Sequence, residues 1–294
     1  MKPMLRTRLL WAGARVKQGA QGIGRRFRVG ASPDLLIVGA QKAGTTSLFN
    51  YLAARPGFIG AQRKEVRFFN RDEHYARGVA WYERFFDARQ SGVRFEATPE
   101  YLYHPTAPER IHAHYPDVRI VMVLRDPVAR AYSAWNMYRH WAETGFMPLA
   151  LWQSRHDNPL YRLFFEGKPP SFEEYVEHEM QLIGLAEPPL EPGILRRGLY
   201  ADQVVRYLDC FGSRQVLVLG FRELVEQPDH AVDTVAAFAR AGGHESSSAG
   251  SVVPAHNTGT YPRDCPEPVA RRLQSFYQPH NERLRQLLGR EVKW

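Results

Sequence analysis

The chain has 294 residues, 44% of them hydrophobic and 24% charged, a balance that excludes a disordered polyelectrolyte and fits a folded globular protein. Its two cysteines, Cys210 and Cys265, exclude a disulfide framework and a cysteine metal centre, so a reducing, cytoplasmic setting is expected. The formal charge of +8 is concentrated at one end, because Lys2, Arg6, Arg8, Arg15, Lys17, Arg25, Arg26 and Arg28 all precede the first acidic residue, Asp34.

Residues 1–33 therefore read as a basic, solvated and partly disordered arm. The apolar run from Leu9 to Ala12 is too short to cross a bilayer, and Arg15 and Lys17 interrupt any signal-peptide core. A peripheral contact with an anionic membrane is the alternative use of such an arm. Residues 34–294 contain no Pro/Gly/Ser-rich linker and read as one domain.

The domain opens on Asp34–Thr46, DLLIVGAQKAGTT. Leu35–Val38 is a continuous apolar run, the pattern of a parallel strand covered on both faces. It ends at Gly39 and passes through a loop of small residues to Thr45, Thr46 and Ser47, which precede a helical pattern ending before Pro56. Strand, glycine loop and helix start make an anion site, since the first helical N–H groups lack internal partners and the helix dipole adds positive potential. The glycines match the nucleotide loop G-x-x-x-x-G-K-[ST], but the lysine is displaced to Lys42 and Thr45 stands in its place. That displacement argues against a magnesium nucleoside triphosphate.

GAQKAGTTSL resembles the 5′-phosphosulfate loop of the sulfotransferases that use 3′-phosphoadenosine 5′-phosphosulfate (PAPS). The resemblance makes Gln41, Lys42, Ala43, Gly44, Thr45, Thr46 and Ser47 donor-binding residues. Next comes Arg63–Asn70, in which Glu65 stands between Lys64 and Arg67 and is expected to stay charged at neutral pH. The stretch KEVRFFN resembles the segment that carries the catalytic base in the heparan-type carbohydrate enzymes. By that likeness Glu65 is the base and Lys64 lines the sulfonate.

Gly78–Phe86 reads as a short helix with Trp81, Phe85 and Phe86 as its apolar stripe, and Val93–Thr98 as a strand followed by acceptor-facing polar and aromatic residues through His104. After a helix at Ala107–Tyr115, Val118–Leu124 is a buried strand, ending in Arg125-Asp126-Pro127 and a helix from Val128 to Trp141. Arg125 at the strand's end and Ser133 two turns into the helix can converge on one anion. RDPVARAYS matches the family's 3′-phosphate motif, whereas Arg130 on the same helix reads as a salt-bridge residue. Residues 144–192, broken by prolines and holding one helix at Phe172–Leu185, read as a variable acceptor or lid region.

RGLYADQ, opening a helix to Phe211, resembles the family segment that borders the nucleotide, which makes Tyr200 a candidate to stack on adenine. Gln215–Gly220 is a third parallel-type strand, followed by a helix at Pro228–Ala241. The family carries lysine or arginine with glycine in the following loop to close over the 3′-phosphate. This chain has His256, Asn257 and Thr258 there, with Arg263 as the nearby replacement. A final helix, Pro266–Leu288, presents Leu273, Phe276, Tyr277, Leu284 and Leu287 towards the sheet.

The resemblance runs from Asp34 to the end of the chain and implies a three-layer, P-loop-like α/β fold with a central parallel sheet. It implies transfer of a sulfonate from PAPS, without a metal, to a hydroxyl or amine of a carbohydrate, glycan or lipid-linked acceptor, with no specific nucleic-acid partner. A P-loop small-molecule kinase and a non-catalytic nucleotide-binding protein are the competing readings. The arginine- and alanine-rich composition suits a bacterial cytoplasmic enzyme.

Overall fold

The computed structural model describes residues 30–146, 158–185, 191–241 and 264–294. The arm up to residue 29, His156, and the loop residues His256, Asn257, Thr258 and Arg263 lie outside the described residues. The expected first strand, β1, is Leu35–Gly39 and is buried along its whole length. Beside it lie β2 (Phe58–Gly60), β3 (Val93–Ala97), β4 (Arg119–Leu124) and β5 (Val216–Gly220), forming a five-stranded sheet in the order β2-β3-β1-β4-β5. Every pairing is parallel. Strand β2 escapes sequence reading because it has three residues, and only Phe58 is buried; its pairing with Val93–Phe95 makes it a strand.

The helices are α1 (Thr45–Ala53), α2 (Asp72–Tyr75), α3 (Val79–Glu83), α4 (Ala107–His114), α5 (Pro127–Thr144), α6 (Pro159–Phe165) and α7 (Phe172–Leu182). A 3₁₀ turn at Arg196–Gly198 leads to α8 (Tyr200–Phe211), then α9 (Phe221–Glu226), α10 (Pro228–Arg240) and α11 (Glu267–Leu288). Helices α1 and α10 pack on each other and on the sheet, α4 packs on α8, and α11 lies chiefly on α8 and α5. The fold is α/β, a single parallel sheet flanked by helices. Its last helix covers helices more than strands, and Leu287 stays exposed.

Two further details differ from the expected pattern. In α3 the residue driven fully inside is Tyr82, with Phe86 just beyond the helix, while Trp81 and Phe85 are only partly covered. Within 144–192 there is a second described helix, α6, which Asn158 caps by accepting from the Leu160 and Tyr161 amides, with Pro159 in its first turn. It joins Trp135 and Tyr138 of α5, Tyr175 of α7 and Tyr277 of α11 in a second apolar core.

The strand order locates the site. From the central β1 the chain runs out to β2 and β3 on one side, then crosses to β4 and β5 on the other. The carboxyl end of β1 is therefore the topological switch point, where open parallel sheets bind ligands. Beyond β5 the C-terminal residues close against the same end: Val292 is buried in the sheet core and Arg222 donates its amide to the Lys293 carbonyl at 3.3 Å. A Cβ on Gly220 would stand 1.9 Å from that carbonyl oxygen. Gly220→Ala must push this backbone aside, and overpacking of this kind costs about 1–3 kcal/mol. Scanning calorimetry should read a melting temperature lower by about 2–4 °C for each kcal/mol. An unchanged melt would mean the C-terminal residues are not seated on β5.

Candidate active site

The first face of the site is the loop after β1. The Ala40 amide donates to the Val123 carbonyl at 2.8 Å and the Ala43 amide to Ala40 at 3.1 Å, so the loop is tied to β4 and folded on itself. Lys42 and Gly44 take left-handed backbone, with φ of 69° and 84°. At Gly44 a side chain would also press on Leu224 and Phe221, at 3.0 and 3.2 Å from its Cβ. Helix α1 starts there without a side-chain cap, which leaves the amides of Thr45 and Thr46 without helical partners. Thr45 is buried and Thr46 half-buried; Gln41 is half-buried, and its amide oxygen is buried without a partner.

Arg125 connects this loop to the neighbouring strands. Leu124 of β4 pairs with Gly220 of β5, so the residues that follow them, Arg125 and Phe221, emerge side by side. The Arg125 guanidinium lies over the Phe221 ring at 4.7 Å and donates to the Lys42 carbonyl at 3.0 Å. Ser133 is buried two turns into α5, whose start Asp126 caps by accepting from the Ala129 amide at 2.7 Å. N–H groups and fixed cations are the donors that suit phosphate and sulfate oxygens.

The second face follows β3. Its register with β1 pairs Ile37 with Ala97, and the Thr98 amide donates to Ile37, so Thr98 to Leu102 leave the sheet beside the loop. Thr98 Oγ1 accepts the Arg67 amide at 3.3 Å and donates to Glu96 Oε2 at 2.9 Å. The buried Glu96 carboxylate also accepts from Tyr82 at 2.8 Å and Tyr101 at 2.9 Å, and the Tyr101 oxygen in turn accepts the Phe68 amide at 2.9 Å. This network holds Arg67 in a left-handed conformation, φ 58°.

Arg67 grips Glu65 at one oxygen only. Nε and Nη2 reach Oε2 at 3.0 and 2.6 Å, while Oε1 has only Lys64 Nζ nearby, at 3.6 Å. Nη2 also lies 3.4 Å from Glu100 Oε1. Burial pushes the Glu65 carboxyl up from its ordinary range and the Glu100 charge adds to this, while Arg67 and Lys64 only partly offset it. Lys64 and Arg67 flank Glu65 as expected, but burial outweighs them in the direction of the shift. Glu100 moves the other way, since burial raises it but Arg67 and Arg197 together hold it below its usual range. Arg197 stacks on Tyr103 at 4.7 Å and pairs with Glu191 at 2.6 Å, and Tyr138 donates to the other Glu191 oxygen at 2.8 Å.

Two expected roles change. Tyr200 is 1% exposed, donates its hydroxyl to the Arg125 carbonyl at 2.8 Å and stacks on Trp294, which leaves no ring face for an adenine. Arg130 forms no surface salt bridge; it is fully buried and donates to the Ile194 carbonyl. The residues that sequence reasoning did not single out are Glu100, Arg197, Glu191 and Phe221. Phe221 was open to discovery, because it follows a strand end as Arg125 does. Among the described residues no three His, Cys, Asp or Glu side chains gather as a metal site, and no helix is long and apolar enough to cross a membrane.

Fold and site together define an α/β enzyme that offers oxyanion-binding groups beside a buried carboxylate. Residues 32–246 match the sulfotransferase domain, and the chain belongs to the sulfotransferase family. It is 29% identical over 279 residues to human heparan sulfate glucosamine 3-O-sulfotransferase 6, covering 94% of this chain and 76% of the relative. It is 31% identical over 218 residues to mouse bifunctional heparan sulfate N-deacetylase/N-sulfotransferase 1, covering 70% of this chain and 22% of that larger protein. Among solved structures, a sulfotransferase from Alicyclobacillus acidocaldarius superposes with a TM-score of 0.64 at 30% identity, over 89% of this chain and 98% of that one.

The Thr98 hydroxyl is the hinge of the second face. Thr98→Val leaves the Arg67 amide without its acceptor and removes one of the hydrogen bonds to the buried Glu96, at a cost of about 1–3 kcal/mol. Urea unfolding should show a lower midpoint with an unchanged slope. A midpoint equal to wild type would mean that neither hydrogen bond contributes.

Proposed function

We propose that the enzyme transfers a sulfonate group from 3′-phosphoadenosine 5′-phosphosulfate to a hydroxyl or amine of a saccharide acceptor. The observation that carries this reading is the meeting, at one switch point, of a cationic N–H loop after β1 and a half-buried, arginine-held carboxylate near the end of β3. When bound, the donor supplies the sulfonate and a phosphate leaving group. The amides of Thr45 and Thr46 and the loop around them hold the 5′-phosphate, while Lys42 and Lys64 supply positive charge where negative charge builds. Arg125 and Ser133 take the 3′-phosphate. Oε1 of Glu65, the oxygen that Arg67 leaves open, accepts the acceptor's proton.

Both relatives are named for heparan sulfate, which supports a saccharide as the acceptor class. In the human protein named for 3-O-sulfation the similarity extends over most of this chain. The lysine position supports PAPS over a magnesium nucleotide, because Thr45 occupies the place where phosphoryl-transfer loops carry their lysine.

Calorimetry with adenosine 3′,5′-bisphosphate and with ADP plus magnesium tests the donor. The bisphosphate should bind at least tenfold more tightly, and Arg125→Ala should abolish that preference while ADP binding changes little; equal or better binding of ADP with magnesium would overturn the proposal. Glu65→Gln should lower turnover by about 10²–10⁴-fold, the usual worth of a positioned general base, and leave bisphosphate affinity intact. Only the ionised carboxyl accepts a proton, so kcat/KM should rise with pH through the Glu65 pKa. Burial places that limb above the ordinary glutamate value of about 4.3. A flat profile from pH 4 to 7 would remove Glu65 from this role.

A further inference from the structure

A base held at 2.6 Å by a guanidinium should be a poor base, since an adjacent cation stabilises the ionised carboxyl and weakens its pull on a proton. The arrangement around Arg67 resolves the conflict. Its Nη2 faces two carboxylates, Glu65 Oε2 at 2.6 Å and Glu100 Oε1 at 3.4 Å, so one positive charge serves two negative ones. Glu100 sits in the turn directly after β3, with 11% of its side chain exposed, and its other oxygen is buried without a hydrogen-bond partner. A carboxylate set this deep keeps its charge because Arg67, which it shares with Glu65, and Arg197 face it.

We propose that Glu100 is a positioning residue for the catalytic base: it shares the Arg67 guanidinium with Glu65, fixing that guanidinium on one oxygen of Glu65 and dividing the charge that would otherwise quench the base. The inference rests on the sulfonate-transfer reading for the word catalytic, and on geometry alone for the coupling of the two carboxyls. The charged groups facing Glu65 are Lys64 from its own segment, Arg67 and, from the β3 turn, Glu100. Those facing Glu100 are Arg67, Lys64 and Arg71, Arg197 from the 3₁₀ turn, and the Tyr138 hydroxyl from α5. Arg67 is also reached by Glu191. Removal of the Glu100 charge leaves the two cations Lys64 and Arg67 facing Glu65 with no second anion beside it, and both consequences, less repulsion and an undivided Arg67, act in the same direction.

The test reads Glu65 directly. In protein labelled with ¹³C at the glutamate carboxyl carbons, the Glu65 signal is the one that disappears in Glu65→Gln, and its shift is followed against pH. In Glu100→Gln the Glu65 titration should fall by about one pH unit, as expected for loss of a neighbouring like charge. The acid limb of kcat/KM should move down with it, and turnover at neutral pH should drop several-fold. Binding of adenosine 3′,5′-bisphosphate should stay at the wild-type value.

Should Glu100→Gln not fold, Glu100→Asp carries the same question. It keeps the charge but withdraws it from Arg67, so the Glu65 titration should still fall, by less. A Glu65 titration unmoved in a folded variant overturns the proposal. The titration needs neither donor nor acceptor, so absence of bisphosphate binding or of turnover in the wild type would sink the sulfonate-transfer reading and leave the coupling to be decided by the carboxyl signals.

Discussion

The Arg125 side chain is the constraint on which the face after β1 depends. It leaves β4 at its carboxyl end, lies on the Phe221 ring that leaves β5 at the paired position, and donates to the carbonyl of Lys42 in the loop after β1. Its own carbonyl accepts from Tyr200, which is stacked on Trp294. One residue thereby joins three strand ends, helix α8 and the last residue described. The apolar ring beneath the guanidinium lowers the local dielectric and keeps the cation fixed, so its charge is already oriented and needs no reorganisation. Lysine could not replace it, because a point charge on a flexible stem cannot stack on Phe221 and reach a carbonyl in one plane.

The other face is built on the opposite principle. Here the charges are neutralised internally, in a sequence of Glu65, Arg67, Glu100, Arg197 and Glu191, and the apolar aromatics Phe68 and Phe69 pack against the same segment. The two environments, a cation-bearing loop and an internally paired charge cluster, arise on either side of one strand because the strand order sends the chain from β1 to β3 and back across to β4.

Much of this was legible in the sequence, and the reasons differ by residue. The strands β1, β4 and β5 announce themselves as unbroken apolar runs, since a parallel strand covered on both faces has no other pattern available. The displaced lysine and the Arg125–Ser133 spacing were readable because each lies at a fixed distance from a strand end. Glu100 was not, because nothing local distinguishes it; its importance comes from β3–β1 register and from Arg67, thirty-three residues away. Strand β2 and the burial of Arg130 and Tyr200 were hidden for the same reason: tertiary pairing determines them, and a window of neighbouring residues does not contain the partner. Local cues failed most where a polar residue was driven inside, as the propensity argument assigns such residues to the surface.

The buried charges argue for function on energetic grounds. Arg67, Glu100 and Arg197 are each largely withdrawn from solvent, and replacing such ion groups by packed apolar side chains is often neutral or stabilising. Glu96 is a useful contrast in the same strand. It is fully buried, but three hydroxyls hydrogen-bond to it, so its cost is met by scaffold contacts and its role is complete as architecture. Glu100 is held by charge instead: it shares Arg67 with Glu65 at 3.4 Å and faces Arg197, and one of its oxygens has no hydrogen-bond partner. Glu96 inside β3, held by hydroxyls, and Glu100 in the turn after it, held by arginines, separate what holds the fold from what faces Glu65. Among the described residues Arg67 bonds to these two carboxylates, Glu65 and Glu100, so the charge of each depends on the other.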